Sequence, residues 1–452
     1  MLKKFFLYIF FLTTVVYIKG QVLNTSPFSR YGIGEINTIQ SAHYFGFGNI
    51  TSPSSEPQYI NINNPASYAS FIKYNPIYNV SLAGKSALYN SNYNNNETTS
   101  SGNNFGLNNL FMGLPITKNW GLVFGITPLS SQGYEVRSTV PFDTSTVDYI
   151  FKGDGSVNKL LFGNGFNILN KGDTTRISLG FNCSYLFGNL DRTSTVVYNN
   201  SNDYNSRIQY RSSLSGWGFD FGLQFFKRFK TASNNKLFLN LGVNYSLSSD
   251  ISTDNDFFAY TFKYNFSVQE FPKDTLAMEN ENSNMILPEK LEFGLSIGKV
   301  YKNKRRWDFG AQYSTIDWTK FEDESKYSTL NDFPMGPYSR ISLGYRLSPN
   351  LDWSNTNKSL LSKSTFSLGV HQTQSKIIVD ESSLIQNGIN FGVSIPLLSS
   401  RSLSRVNFGV EVGKLGDLTI NKIEENYFKF SIGFSLGPDT RYDRWFRKRK
   451  YD

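Results

Sequence analysis

Reactive side chains are scarce in this chain of 452 residues, which holds two His, His43 and His371, and one Cys, Cys183. Nucleophilic catalysis needs a nucleophile, a base and an orienting group side by side. Ser is abundant here, but no flanking pattern marks either His as a base. One Cys excludes a disulfide framework and any Cys-rich zinc or iron–sulfur centre, and two His leave little for a His-based metal site. The run Glu322-Asp323-Glu324 offers oxygen ligands of the kind Ca²⁺ takes, yet it reads first as a solvated loop. Gly32 and Gly34 lack the third glycine of a phosphate-cradling strand–helix turn. We therefore expect no enzyme, no metal and no cofactor.

The elements that position these residues are legible from composition and periodicity. Hydrophobic residues make up 39% and aromatic residues 16%. A low apolar share rich in Tyr and Phe suits strands coated on one face only. Lys3 and Lys4 precede the apolar run Phe5–Ile18, and Gly20 suits a cleavage site, so 1–20 reads as a signal peptide. No later stretch is long enough to cross a bilayer as a helix. Net charge is +9, and the tail 438–452 holds six cations against three Asp. In an exported protein such a tail reads as a solvated end or as periplasmic, near anionic groups, and not as a nucleic-acid site.

Strict alternation appears repeatedly. Leu291, Phe293, Leu295 and Ile297 alternate with Glu292, Gly294, Ser296 and Gly298; Val406, Phe408, Val410 and Val412 alternate with Asn407, Gly409, Glu411 and Gly413. Period two over eight to ten residues means strand, with one apolar and one polar face. These strands are longer than those of ordinary soluble sheets and long enough to cross a bilayer at a tilt. Apolar outside and polar inside is the pattern of a transmembrane barrel, the only sheet that satisfies every backbone group in lipid. The polar register holds His371, with Ser367, Gly369 and Thr373, and also Glu292 and Glu411, so all three are candidate lumen-facing residues. Cys183 alternates with Leu179, Phe181 and Tyr185 and belongs to the lipid face.

The count is about fourteen strands over 75–437, an all-β, antiparallel transmembrane barrel. Long polar links at Asn90–Asn104, Tyr134–Asp154, Asp191–Arg211 and Asp250–Met285 alternate with short ones, as external loops alternate with periplasmic turns. The link Ser348–Lys363 is long where a turn is expected. An even count places both termini in the periplasm of a Gram-negative-type cell. Residues 21–74 do not alternate, and they either plug the lumen as a hatch or lie in the periplasm.

Two segments resemble the FadL-like family of outer-membrane transporters for long-chain fatty acids and other hydrophobic compounds. Asn61-Ile62-Asn63-Asn64-Pro65-Ala66-Ser67 is similar to an Asn-Pro-Ala segment in that family's N-terminal hatch. Phe309–Phe321, with Trp318 and Thr319, resembles an aromatic Trp-Thr strand late in its barrel. The resemblance implies fourteen strands around a plug and passive uptake of a hydrophobic small molecule. Movement of a hatch containing Asn64, Pro65 and Ala66 would open a route into the lumen or sideways into the bilayer. Asn64-Pro65 read by itself is equally a rigid turn closing the barrel base. The opening Ser26–Gly34 and the tail Trp445–Arg449 depart from the fatty-acid transporters. Several barrels of this family serve export machines instead, so the alternative is a non-transporting accessory or shuttle subunit of an outer-membrane assembly or protein-secretion complex. Expected partners are outer-membrane lipid, a hydrophobic small molecule or other outer-membrane proteins, with no nucleic acid. A secreted soluble β-sandwich is a third reading.

Overall fold

The computed structural model describes residues 26–438 apart from 94–95, 143–144, 173, 200–202, 232–234, 265–269, 327–334, 352–358, 380 and 398–403. The signal-peptide reading and nearly all of the basic tail lie outside the described residues.

Sixteen long strands follow one another in the chain: β1 (Ile77–Tyr93), β2 (Asn96–Pro115), β3 (Trp120–Phe142), β4 (Ser145–Asn170), β5 (Thr175–Tyr198), β6 (Asn205–Lys230), β7 (Lys236–Ser246), β8 (Ser249–Tyr264), β9 (Glu270–Leu287), β10 (Lys290–Val300), β11 (Arg306–Asp317), β12 (Pro337–Ser348), β13 (Thr365–Val379), β14 (Ser382–Pro396), β15 (Arg405–Asp417) and β16 (Ile423–Leu436). Fourteen close the barrel, each antiparallel to the next, and β16 pairs with β1 from Ile423↔Ser91 to Leu436↔Tyr78. β8 and β9 are the exception. β6 pairs with β7 along one half and with β8 along the other, and β10 then pairs with β7, so the β8–β9 hairpin rises from the rim. Closure leaves no free edge at the level of the bilayer, where an unpaired backbone group has no water to bond.

The alternating apolar residues point outward and are exposed. Phe219, Phe221 and Leu223 on β6, Phe293 and Leu295 on β10 and Ile389 and Phe391 on β14 are 38–60% exposed, as are their counterparts on most other strands. A continuous apolar exterior of this extent has no place in water and suits lipid. Cys183 is half-exposed on this outer side, beside exposed Phe181.

Three expectations need correction. The links read as long loops are largely strand: β1–β2, β3–β4, β5–β6 and β8–β9 run on as tall hairpins. These extensions are wetted on one or both faces, so their sequence loses the alternation that marks a half-buried strand. Second, Trp318 and Thr319 do not continue their strand. β11 ends at Asp317, whose carboxylate accepts from Thr319 N (3.2 Å) and Thr319 Oγ1 (2.6 Å), turning Trp318–Lys320 into a 3₁₀ turn. Third, Asp323 is not a solvated loop residue: it is buried and accepts from Ser325 N, and Glu322–Asp323 pair with Ile286 and Met285 of β9.

Candidate functional site

The lumen is where the polar faces of the strands meet the N-terminal segment. That segment packs against the wall on nearly every side. Asn64 caps a 3₁₀ turn, Pro65–Ser70, by accepting from Ala66 N at 3.1 Å. Its amide donates to Ser52 O (2.8 Å) and reaches Val243 O (3.3 Å) and Leu223 O (3.4 Å) on two wall strands. Pro65 follows at the first helical position, where no N–H is needed. Asn64, Pro65 and Ala66 are all buried.

Inward glycines make this approach possible. Gly121, Gly165, Gly180 and Gly222 lie side by side across β3–β6. A Cβ on Gly180 would stand 2.3 Å from Pro65 C, and one on Gly242 only 1.9 Å from Ser52 O. The belt continues through Gly294, Gly310, Gly344, Gly369, Gly392 and Gly409, each against the N-terminal segment. The sequence shows these as the polar-side glycines, but their role emerges only once the strands are set in register.

Between the glycines, wall side chains bond the segment's backbone. Gln312 Oε1 accepts from Thr51 N (2.8 Å) and Ser52 N (2.9 Å), and Gln224 Nε2 donates to Ser52 O and Ser54 O. Asn182 donates to Ile62 O (3.0 Å) and accepts from Tyr68 Oη (3.1 Å). Glu56 is ion-paired with Arg346, whose guanidinium lies 4.1 Å from the Phe47 ring centroid. Burial pushes the Glu56 carboxyl up, but Arg346 and Arg306 outweigh it and hold the carboxyl below the usual range. His43 stacks on Tyr59 at 3.6 Å, with Nδ1 2.9 Å from Ser394 Oγ. Its burial, then Arg346, Arg405 and Arg306, hold the imidazole well below its ordinary value, so it is neutral.

Toward the hairpin end two adjoining cavities of about 300 and 330 Å³ remain. Their walls mix apolar groups, Ile33, Ile36, Leu186 and Trp318 among them, with charges. Lys85 bridges Glu35 (2.8 Å) and Glu425 (2.7 Å), Lys159 meets Asp220 (2.7 Å), and Lys290 meets Glu292 (2.8 Å). Glu292 also accepts from Ser314 (3.1 Å). His371 and Glu411 share Asn390, which lies 3.1 Å from His371 Nδ1 and donates to Glu411 at 2.6 Å; His371 Nε2 is 3.8 Å from Glu411. Trp318 is buried, with Lys376 Nζ 4.0 Å from its ring centroid, while Thr319 is exposed. Glu292, His371 and Glu411 are thus all buried on the wall; His371 and Glu411 meet around Asn390, whereas Glu292 is held apart from them by Lys290 and Ser314. Among the described residues no group of three or more His, Cys, Asp or Glu could hold a metal ion. Lys85, Glu35, Glu56, Arg346 and Gln312 escape a reading of the sequence, because each partner lies tens to hundreds of residues away and no local spacing marks it.

A closed fourteen-stranded barrel with an apolar exterior and a filled, polar interior is an outer-membrane β-barrel of the FadL-like fold. The toluene transporter TodX of P. putida has that fold too, in two solved structures. One has a TM-score of 0.52 at 14% identity over 88% of this chain and 98% of that one, the other 0.51 at 14% over 90% and 99%. A Pseudomonas aeruginosa FadL homologue gives 0.49 at 12%, over 90% and 99%. No curated protein matches by sequence. The family model described as BamG matches residues 1–452, so the chain belongs to the BamG family.

Proposed function

We propose that this protein is a plugged, non-conducting barrel that serves as an accessory subunit of an outer-membrane assembly or secretion complex. The observation that carries this reading is how the N-terminal segment meets the wall. Its backbone rests on inward glycines, its amides and carbonyls are bonded by Gln224, Gln312 and Asn182, and Glu56–Arg346 ties it down. A mobile hatch needs contacts that exchange easily, and a buried ion pair costs several kcal/mol to break. The space left above it is lined by Lys85, Lys159, Lys290, Glu35, Glu292 and Asp220, which interrupt any continuous apolar path. The match to the BamG family spans the whole chain, whereas the likeness to the toluene transporter is one of fold. In this reading the short-turn end and both termini face the periplasm and the tall hairpins face outward.

A second reading is passage of a hydrophobic small molecule, long-chain fatty-acid-like, gated by Asn64–Ala66. The fold shared with TodX and the apolar patches of the cavity wall favour it. One experiment separates the two. The tagged protein is purified from gently solubilised membranes, and the same eluate is analysed for proteins and extracted lipids by mass spectrometry. A stoichiometric set of protein partners with an empty barrel is expected. A near-stoichiometric hydrophobic molecule with no partner would overturn the accessory reading.

A further inference from the structure

Three short turns lie side by side at the end of the barrel opposite the tall hairpins: 171–174 between β4 and β5, 231–235 between β6 and β7, and 301–305 between β10 and β11. Arg228 N donates to Thr174 O (2.7 Å) and Lys302 N to Asn235 Oδ1 (3.2 Å), so the turns form one lip. Residues 170–176, 226–237 and 299–308 hold eleven Lys and Arg against two acids, Asp173 and Asp308. Their +9 equals the net charge of the whole chain, and everything else sums to zero. At the hairpin end, by contrast, acids and cations pair off: Asp148 with Arg137, Glu135 with Lys152 and Asp191 with Arg211.

The barrel itself has no use for this charge. Of the two acids, Asp308 is buried and taken by Arg306 at 2.9 Å. Lys302 and Arg305 stand exposed on the 301–305 turn, with no ion pair among the described residues. Crowded like charges repel, and a surface that serves solubility alone mixes both signs. A one-signed patch raises the local concentration of an oppositely charged partner and steers its approach.

The direction of the side chains decides what the partner is. Strand alternation turns Lys227 and Lys299 toward lipid, but Arg176, Arg228 and Arg306 inward. Arg176 and Phe226 line a small gap beside Pro53 and Ser70 of the plug, inside the wall. Arg176 and Arg228 lie 4.7 and 5.6 Å from the Phe226 ring centroid, and Arg306 lies 4.7 Å from that of buried Phe238. Guanidiniums seated on rings at the mouth of the barrel are held in place. Lipid headgroups, which surround the outside of the wall, do not reach them.

We propose that this lip docks an acidic segment of a partner protein at the short-turn end of the barrel. Carboxylates of the segment pair with Lys302 and Arg305 on the turn, and the segment runs on across the mouth toward the inward guanidiniums, whose planar forks suit carboxylates. This rests on the accessory reading only in requiring a protein partner on that side of the membrane.

The test uses full-length protein in nanodiscs, either of phosphatidylcholine alone or with phosphatidylglycerol added, and two synthetic ten-residue peptides, one alternating Glu with Ser and one Lys with Ser. The Glu peptide should bind in both discs and weaken as salt rises, and the Lys peptide should not bind. Lys302→Glu with Arg305→Glu should weaken the Glu peptide at least tenfold. Arg137→Glu with Lys152→Glu, the same charge change at the hairpin end, should leave it within twofold. Loss of binding in the phosphatidylglycerol discs gives the lip to headgroups and overturns the proposal, as do equal effects of the two double substitutions. In cells, a photo-cross-linking residue at Asn303 should join a protein segment carrying at least three Asp or Glu. Adducts with lipid alone or with a segment lacking acids, or no adduct, overturn it as well. Partner co-purification that survives the Lys302 and Arg305 substitutions removes this lip and leaves the accessory reading standing. Absence of partners removes that reading, while peptide binding still decides the lip.

Discussion

Glu56 and Arg346 lie 290 residues apart in sequence and meet in the lumen, with side chains only 12% and 4% exposed. Among the described residues Arg346 Nε and Nη2 have no hydrogen-bond acceptor, so Glu56 is the ion-pair partner of this buried cation, helped by the Phe47 ring and by Asp308 opposite it on β11.

Glu56→Gln should therefore destabilise the plug more than a surface substitution could. Leaving a buried charge unpaired costs about 3–5 kcal/mol. Limited proteolysis in detergent should cut within 26–75 while the barrel still shows heat-modifiable migration. Unchanged resistance to protease would remove the pair from the set of contacts that hold the plug.

Acidification should loosen the same region in two stages. His43 stays neutral when folded, so below the unfolded imidazole value of about 6.5 the unfolded chain takes up a proton that the folded chain refuses. Stability falls as pH drops through that range. Glu56 is held below its unfolded value of about 4.3, so its contribution is present above that pH and is lost as pH falls through the folded value. A melting series from pH 8 to 3 should slope downward from about 6.5, and His43→Asn should flatten the upper part. A flat wild-type profile between pH 7 and 5 would contradict the assignment.

Gly242→Val places a side chain where Ser52 O now sits. The strand face that meets lipid is untouched, so the barrel should still fold. The plug should be displaced, and the protein in planar bilayers should conduct where wild type does not. A closed variant would mean that the plug has room to shift without opening a path.

Trp318 packs in a cluster with Ile33, Leu186, Leu214 and Ile251, joining the N-terminal segment to the wall near the hairpin end. Trp318→Ala should cost about 3–5 kcal/mol, as large-to-small changes in cores do. Thr319→Ala, at an exposed position one residue on, should cost far less, about 1 kcal/mol for the lost turn bonds. Chemical denaturation of the two variants in parallel checks the contrast.

The fourteen barrel strands are legible because each presents one face to lipid and one to the interior, and Leu291–Ile297 and Val406–Val412 print that division directly. The tall hairpins are not legible. Water wets both sides of Glu135–Phe142 and most of β9, so nothing there enforces a period. Asp317 hides a turn inside what reads as a strand, since a capping carboxylate and a polar strand residue look alike in sequence. The lumen is least legible of all. Gly180 reads as an ordinary small residue until the register places Pro65 against it, and nothing local links Lys85 to Glu425.

The glycine belt bears on the order in which the molecule is made. A wall stripped of side chains at one level cannot fill its own centre, so closing β16 onto β1 around nothing would enclose a void. The segment that fills it precedes every barrel strand in the chain, and the seam that seals it involves the last. The plug is thus a mandrel: the strands wrap it as they are added, and the final pairing locks it in. A permuted chain that delivers the same residues after β16 should close hollow and conduct, although its composition is unaltered.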